Sequence, residues 1–230
     1  MKIELKNVTK KFGKEYALKE ADLSLSPGKI YGLTGPNGSG KSTILKLITG
    51  LSFPDSGTVL IGGRPAARKE MKNIAYLTEL DMFYDPFRVK DMIHFYETQF
   101  SDFRINKAWD LLKDMKIDGD KKIGKLSKGN RGRLKLALTL ARDAAVVLLD
   151  EPFSGLDPMV RESIVKSLLT YLELDKQTIV IATHEIEQIL DEVIVVLNGR
   201  VEEKKDVEQL REESGMSLLE WLKRFIEEKY

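Results

Sequence analysis

No cysteine occurs in the sequence, which excludes disulfides, thiolate metal sites and cysteine nucleophiles and fits a reducing compartment. Long apolar runs are missing too. The longest, such as Ala144–Leu149 and Val193–Leu197, fall far short of the ~20 residues that span a bilayer. The opening stretch, MKIELKNVTKKFGKEY, lacks the apolar core of a secretory signal. The expectation is a cytosolic chain that borrows the transmembrane segments of another protein if it works at a membrane. Net charge is nearly absent, because 37 basic side chains against 36 acidic ones leave +1. That balance provides no global drive toward nucleic acid or an anionic surface. What remains is 42% hydrophobic and 32% charged over 230 residues, enough to bury the core of one large domain or a closely joined pair. A disordered or fibrous chain is excluded.

Periodicity organises the chain. Ile3–Val8 alternates apolar and polar residues as a half-buried strand does, and Leu23–Ser26 precedes the turn Pro27-Gly28. Lys29–Thr34 is an apolar strand leading into a glycine-rich loop and a helix over Ser42–Thr49, with Gly50 as its C-cap. Val59–Ile61 and Asn73–Leu77 read as short strands. From Val89 to Leu140 the apolar residues take helical spacing, as at Val89, Met92, Ile93, Tyr96 and Phe100. Strands return at Ala145–Leu149, Thr178–Ala182 and Val193–Leu197, separated by helices over Met159–Tyr171 and Glu185–Leu190. The alternation predicts an α/β fold with a parallel sheet and an inserted helical block. Ser217 and Glu220 form a capping-box pattern opening a last helix, with Leu218, Leu219, Leu222, Phe225 and Ile226 along one side and Trp221 off that line.

Between the strand at Lys29–Thr34 and the helix that follows lie Gly35, Pro36, Asn37, Gly38, Ser39, Gly40, Lys41, Ser42 and Thr43. This is the complete pattern of a phosphate-binding P-loop, in the strand–loop–helix context such a motif requires. Glycines let successive backbone amides point inward at phosphate oxygens, and the helix N-terminus adds its positive end. Lys41 reaches the β- and γ-phosphates, and the Ser42 hydroxyl is a magnesium ligand. The pattern predicts binding of a nucleoside triphosphate with Mg2+. An Asn-Lys-x-Asp guanine reader is absent, since Asn106-Lys107 runs on into Ala108-Trp109, which argues against a GTPase. Val146–Leu149 then delivers two adjacent acids, Asp150 and Glu151, at the carboxyl end of a strand, where open α/β sheets bind ligands. One would hold magnesium and the next would activate the attacking water.

Leu126-Ser127-Lys128-Gly129-Asn130, a basic helix, Val-Leu-Leu-Asp150-Glu151-Pro, Ser154-Gly155-Leu156-Asp157 and a histidine after a strand follow one another in that order. This succession resembles the ATP-binding-cassette (ABC) ATPases, over nearly the whole chain to about Arg200. The resemblance implies a P-loop NTPase core with a parallel sheet, an N-terminal antiparallel β subdomain and an inserted α-helical subdomain. The implied division is 1–78 with 141–210 as the RecA-like and β core, 79–140 as the helical subdomain, and 211–230 as a C-terminal amphipathic helix. It further implies that Leu126, Ser127, Lys128, Gly129 and Asn130 form a signature that meets the γ-phosphate bound by a second subunit. Asp150 would be the magnesium-linked aspartate, Glu151 the catalytic carboxylate, and Ser154, Gly155, Leu156 and Asp157 a D-loop crossing the dimer interface. His184 would contact the γ-phosphate and the attacking water. Phe12 aligns with the aromatic that stacks on adenine, and Tyr16 is the second candidate.

Two positions depart from the pattern. Glu79 stands where the family usually has glutamine, adding a negative charge and a further magnesium ligand beside Asp150 and Glu151. Asn130 replaces the usual glutamine of the signature with a shorter amide. The expectation is the ATP-hydrolysing subunit of an ABC transporter. It would work with a separate transmembrane permease subunit and a second ABC ATPase subunit, with no nucleic acid partner, peripheral on the inner face of the cell membrane. The Leu-Ser-Lys-Gly-x signature resembles that of small exporters. The alternatives are a non-transport ABC ATPase acting on ribosomes or DNA, which usually carries two cassettes or a long coiled coil, and a soluble small-molecule kinase, which would leave the signature unexplained.

Overall fold

Strands whose apolar residues alternate and strands that are apolar throughout belong to two different sheets in this chain. The computed structural model describes residues 1–81, 83–154, 158–183 and 189–229. The elements begin with β1 (Ile3–Phe12), β2 (Glu15–Leu25), β3 (Lys29–Thr34), α1 (Lys41–Ile48), β4 (Ser56–Ile61), β5 (Arg64–Pro65) and β6 (Ile74–Leu77). Three helices follow, α2 (Val89–Gln99), α3 (Ile105–Asp114) and α4 (Lys128–Leu140). Then come β7 (Val146–Asp150), α5 (Pro158–Tyr171), β8 (Thr178–Ala182), β9 (Glu192–Leu197) and β10 (Arg200–Asp206). The described chain closes with α6 (Val207–Ser214) and α7 (Leu218–Lys229).

The larger sheet has six strands in the order β10-β9-β3-β8-β7-β6, with every pair parallel except β10 on β9. β7, β8 and β9 are buried along their whole length. A sheet covered on both faces favours such continuous apolar runs. Leu33, Leu148, Val180 and Ile194 pack toward α1 and the smaller sheet, whereas Leu149, Ile179 and Ile181 pack toward α2–α5. Met92, Leu111 and Leu134 of the helical block lie in that second cluster, so the block shares its core with the sheet. Arg142, just after α4, ties the block to the edge strand: its guanidinium donates to Ile74 O at 2.8 Å and to Asp102 Oδ1 at 2.9 Å. The smaller sheet is antiparallel, in the order β2-β1-β4-β5.

The parallel arrangement aims the carboxyl ends of β3, β6, β7 and β8 the same way. The P-loop, Glu79, Asp150-Glu151 and Thr183 therefore emerge along one edge of the sheet.

Three features differ from the sequence expectation. β1 and β2 extend to a hairpin closed by Gly13-Lys14, well beyond the alternating segments. Register shifts between Leu5 and Lys11 interrupt the period-two signal, and the outer face carries charged residues. β10 has almost no apolar pattern, yet Asn198-Gly199, both at positive φ (49° and 78°), supply the tight turn that folds it back on β9. In α7 the capping box forms, with Ser217 Oγ accepting from Glu220 N at 3.3 Å and Glu220 Oε2 accepting from Ser217 N at 3.0 Å. Its packed side, however, is Leu218, Trp221 and Leu222, while Leu219 is exposed. Trp221 is thus on the inward line, because Val193, Val207 and Leu210 offer it a partner surface. The helix expected over Glu185–Leu190 falls largely on 184–188, outside the described residues, and Ile189 and Leu190 are not helical.

Candidate functional site

β3 ends at Thr34 and α1 begins at Lys41, with the glycine-rich turn between them. Two of its glycines have no room for a side chain. A Cβ on Gly35 (φ 143°) would lie 2.0 Å from the Val196 carbonyl oxygen, and one on Gly40 (φ 114°) 2.5 Å from that of Ala17. The loop is also braced from β9–β10, where Gly199 N donates to Ser39 O at 3.0 Å. The first turn of α1 has no side-chain cap and no acidic residue. Its unpaired amides and dipole favour an anion.

Lys41 is buried, and its ammonium donates to Gly35 O at 2.6 Å and Pro36 O at 3.1 Å. Burial lowers its pKa, opposed by the charges of Glu151 and Asp150. Ser42 Oγ donates to Asp150 Oδ1 at 3.1 Å, and the Tyr76 hydroxyl donates to Asp150 Oδ2 at 3.3 Å. Burial raises the Asp150 pKa against those two hydrogen bonds, and the charge of Glu79 adds to the rise. Glu151, the next residue, sits at φ 47°, a strained backbone for a non-glycine, with its N–H on Ala182 O at 2.9 Å.

A cleft of about 680 Å³ joins most of the expected residues. It runs from the exposed rings of Phe12 and Tyr16, across Asn37, Gly38, Gly40, Lys41, Ser42 and Thr43, to Glu79, Glu151 and Ser154. Asp150 lies behind Ser42, through the hydrogen bond between them. Leu126–Asn130 do not line this cleft among the described residues. Ser127 caps the exposed start of α4, its Oγ accepting from Asn130 N at 3.3 Å. Gly155, Leu156, Asp157 and His184 lie outside the described residues.

The sequence reading missed three side chains here. Tyr76 is one, and its signal was a polar-tipped residue in the otherwise apolar run Ile74–Leu77. The others are on α4. Lys135 donates to the carbonyls of Thr78, Glu79 and Leu80 at 3.0, 3.2 and 3.2 Å, while Arg131 pairs with Asp81 at 2.6 Å and with Asp85. Their helical spacing of four, facing two aspartates after Glu79, was the available signal.

The Ser42 hydroxyl and Asp150 carboxylate, side by side, are hard oxygen donors that suit Mg2+. Among the described residues no three His, Asp or Glu side chains converge into a metal cage. A cation here would therefore complete its shell with phosphate oxygens and water, as Mg2+ commonly does.

The ABC transporter family model matches residues 18–154. The ABC transporter ATP-binding protein YtrB of Bacillus subtilis is 31% identical, with 92% of this chain and 74% of that protein covered. The sulfate/thiosulfate import ATP-binding protein CysA of Mesostigma viride is 36% identical over 88% of this chain, which spans 61% of that protein. The Nod factor export ATP-binding protein I of Burkholderia lata is 35% identical, with 86% and 68% covered. In structure, the ATP-binding subunit of an ABC transporter matches with a TM-score of 0.85 at 23% identity, covering 96% of this chain and 97% of that one. A dimeric ATP-binding cassette in a post-hydrolysis state with ADP and phosphate matches with a TM-score of 0.78 at 26% identity, covering 89% and 98%. The family match begins in β2 and ends just beyond β7, so it takes in the P-loop, Ser127, Asp150 and Glu151 themselves, and the chain belongs to the ATP-binding proteins of ABC transporters.

Proposed function

We propose that this protein binds MgATP in the cleft between the β1–β2 hairpin and the P-loop, hydrolyses it, and so powers transport through a separate transmembrane permease subunit. The observation that carries the reading is the Ser42–Asp150 hydrogen bond at the mouth of the P-loop, with Glu151 lining the same cleft. In this reading the amides of Gly38 to Thr43 hold the phosphates, and Lys41 leaves the carbonyls of Gly35 and Pro36 to meet them. Phe12 stacks on adenine, with Tyr16 beside it. Ser42 and Asp150 would hold magnesium, with Glu79 as an added carboxylate, and the metal would supply positive charge against the triphosphate. Glu151 takes a proton from the water that attacks the γ-phosphorus as the bond to ADP breaks. His184 contacts the γ-phosphate and that water.

Ser127, Gly129 and their neighbours Leu126, Lys128 and Asn130 act on the ATP of a second subunit, and Ser154 to Asp157 cross between the two. The exposure of Ser127 away from its own cleft supports a role in trans. ATP would close the head-to-tail dimer and hydrolysis reopen it. The same reading keeps 79–140 as the helical subdomain that moves on a core formed by 1–78 and 141–210. No described helix is long and apolar enough to cross a membrane, so the proposed position on the inner face of the membrane depends on the permease. Export is the proposed direction, from the signature; near-equal likeness to import and export subunits weighs for neither side.

Lys41→Ala tests the reading. Removing the ammonium leaves the triphosphate uncompensated, so ATP affinity and turnover should both collapse. A variant hydrolysing ATP at the wild-type rate would overturn it. Affinity capture should bring down a hydrophobic membrane protein; ribosomes or DNA would refute the transport role.

A further inference from the structure

We infer that Tyr76 is a positioning residue of this site, its hydroxyl fixing the Asp150 carboxylate in the orientation that, together with Ser42, receives a divalent cation. The inference rests on the MgATP reading of the cleft and deepens it.

The strand register creates the contact. β6 and β7 run parallel with Tyr76 opposite Leu148. Residues two apart on a strand share a face, so Asp150 stands on the same face as Leu148. The phenol reaches along that face and donates to Asp150 Oδ2 at 3.3 Å, while Ser42 donates to Oδ1 at 3.1 Å. Each carboxylate oxygen thus receives one hydroxyl, from two different elements, and the carboxylate plane is set between them. The Tyr76 ring packs on the apolar cluster that contains Tyr31, Leu33 and Ile44, so the hydroxyl is held by a stiff side chain. Burial, with the Asp150 charge next, raises the phenol pKa far above its usual value and keeps the group a donor. The phenol also interacts with the Thr78 side chain, on the segment leading to Glu79.

Glu79 brings a further negative charge to bear on Asp150. Ser42 alone holds one oxygen and leaves the plane free to turn. Tyr76 supplies the second tether. A phenol that merely satisfied itself in a half-buried strand would affect stability and nothing else.

The test is Tyr76→Phe, which keeps the ring and its packing. Mn2+ is the probe, its protein-bound fraction followed by electron paramagnetic resonance with protein in excess over ATP, so that little Mn2+ is held by ATP free in solution. ATP binding without metal is followed separately by equilibrium dialysis. Loss of one hydrogen bond to a charged group should weaken Mn2+ binding about tenfold. Metal-free ATP binding should stay within about twofold, because the P-loop contacts are untouched. In an Asp150→Asn background the same change should have almost no further effect, since the group it orients is no longer an anionic ligand. Wild-type Mn2+ affinity in Tyr76→Phe, or an equal loss with and without Asp150, would overturn the positioning role. If Asp150→Asn weakens Mn2+ binding and Tyr76→Phe does not, the inference fails while the MgATP reading stands. If the wild type shows no ATP-dependent Mn2+ binding, both fail.

Discussion

Lys135 grips Glu79 by its backbone: the ammonium lies 3.2 Å from the Glu79 carbonyl oxygen, and 3.0 and 3.2 Å from those of Thr78 and Leu80. An ammonium has three protons, and three carbonyls meet them here. Burial lowers the Lys135 pKa, against the charges of Asp81 and Glu79. One turn earlier, Arg131 holds Asp81 and Asp85. Ser127 caps the same helix, about 12 Å from Lys135 along the axis at the usual rise per residue. The loop that carries Glu79 into the cleft and the helix end presenting Ser127 therefore hang on one rigid element.

Lys135→Met keeps the aliphatic stem and removes the three hydrogen bonds. Urea denaturation should show a loss of about 2 kcal/mol, since the carbonyls are only partly rehydrated. ATP affinity should remain within about threefold, because no P-loop contact changes. A variant as stable as the wild type would show that the grip has no weight.

Glu79→Gln should leave the fold intact and alter the acid side of cation-dependent ATP binding. The sign follows from Asp150: the Glu79 charge helps to raise its pKa, so a neutral amide lowers it. Asp150 then stays ionised to lower pH, and the acid limb of Mn2+–ATP binding should move to lower pH. Titrations of affinity downward from about pH 7 into the ordinary carboxylate range at about pH 4 read this directly. Superimposable profiles would make Glu79 a bystander.

Glu151→Gln should remove hydrolysis and leave binding, because the amide keeps the shape and removes a charge beside the triphosphate. Light scattering should then find a dimer in MgATP and a monomer in MgADP. Adding Ser127→Arg puts a bulky cation where a small hydroxyl must approach phosphate, and the dimer should disappear while each subunit still binds nucleotide. A double variant that dimerises as well as Glu151→Gln would refute the shared site.

Gly40→Ala and Gly38→Ala separate sterics from backbone strain within one loop. Both positions have positive φ, 114° and 79°, but a Cβ on Gly40 meets Ala17 O at 2.5 Å and one on Gly38 meets nothing within 4 Å. Thermal and urea melts should show a loss of about 1 kcal/mol for Gly38→Ala, the strain alone. For Gly40→Ala the loss should exceed about 3 kcal/mol, because β2 must also move off the P-loop. Equal losses would show that the hairpin yields freely.

Much of the site was legible because its chemistry is local. A strand, six loop residues rich in glycine and a helix start are contiguous, and positive φ at Gly35 and Gly40 belongs to the turn itself, although the space their missing Cβ leaves is taken by distant Val196 and Ala17. Asp150 and Glu151 were equally readable, since they end a run apolar enough to be a buried strand. By itself, then, the sequence determined the glycine-rich loop between strand and helix, the pair of acids, the alternation of strands with helices and the family.

Tertiary structure decided which side chains meet across elements. Tyr76 and Asp150 are 74 residues apart, and the parallel register of β6 on β7 is what brings the phenol to the carboxylate. Lys135 is 55 to 57 residues from the carbonyls it holds, and only the packing of α4 beside β6 aims it at them. Trp221 turned inward because Val207 and Leu210 of α6 lay beneath it, a surface that the periodicity of α7 does not encode. Backbone conformation is written in a few adjacent residues; contact between elements depends on register and packing, which no single segment contains.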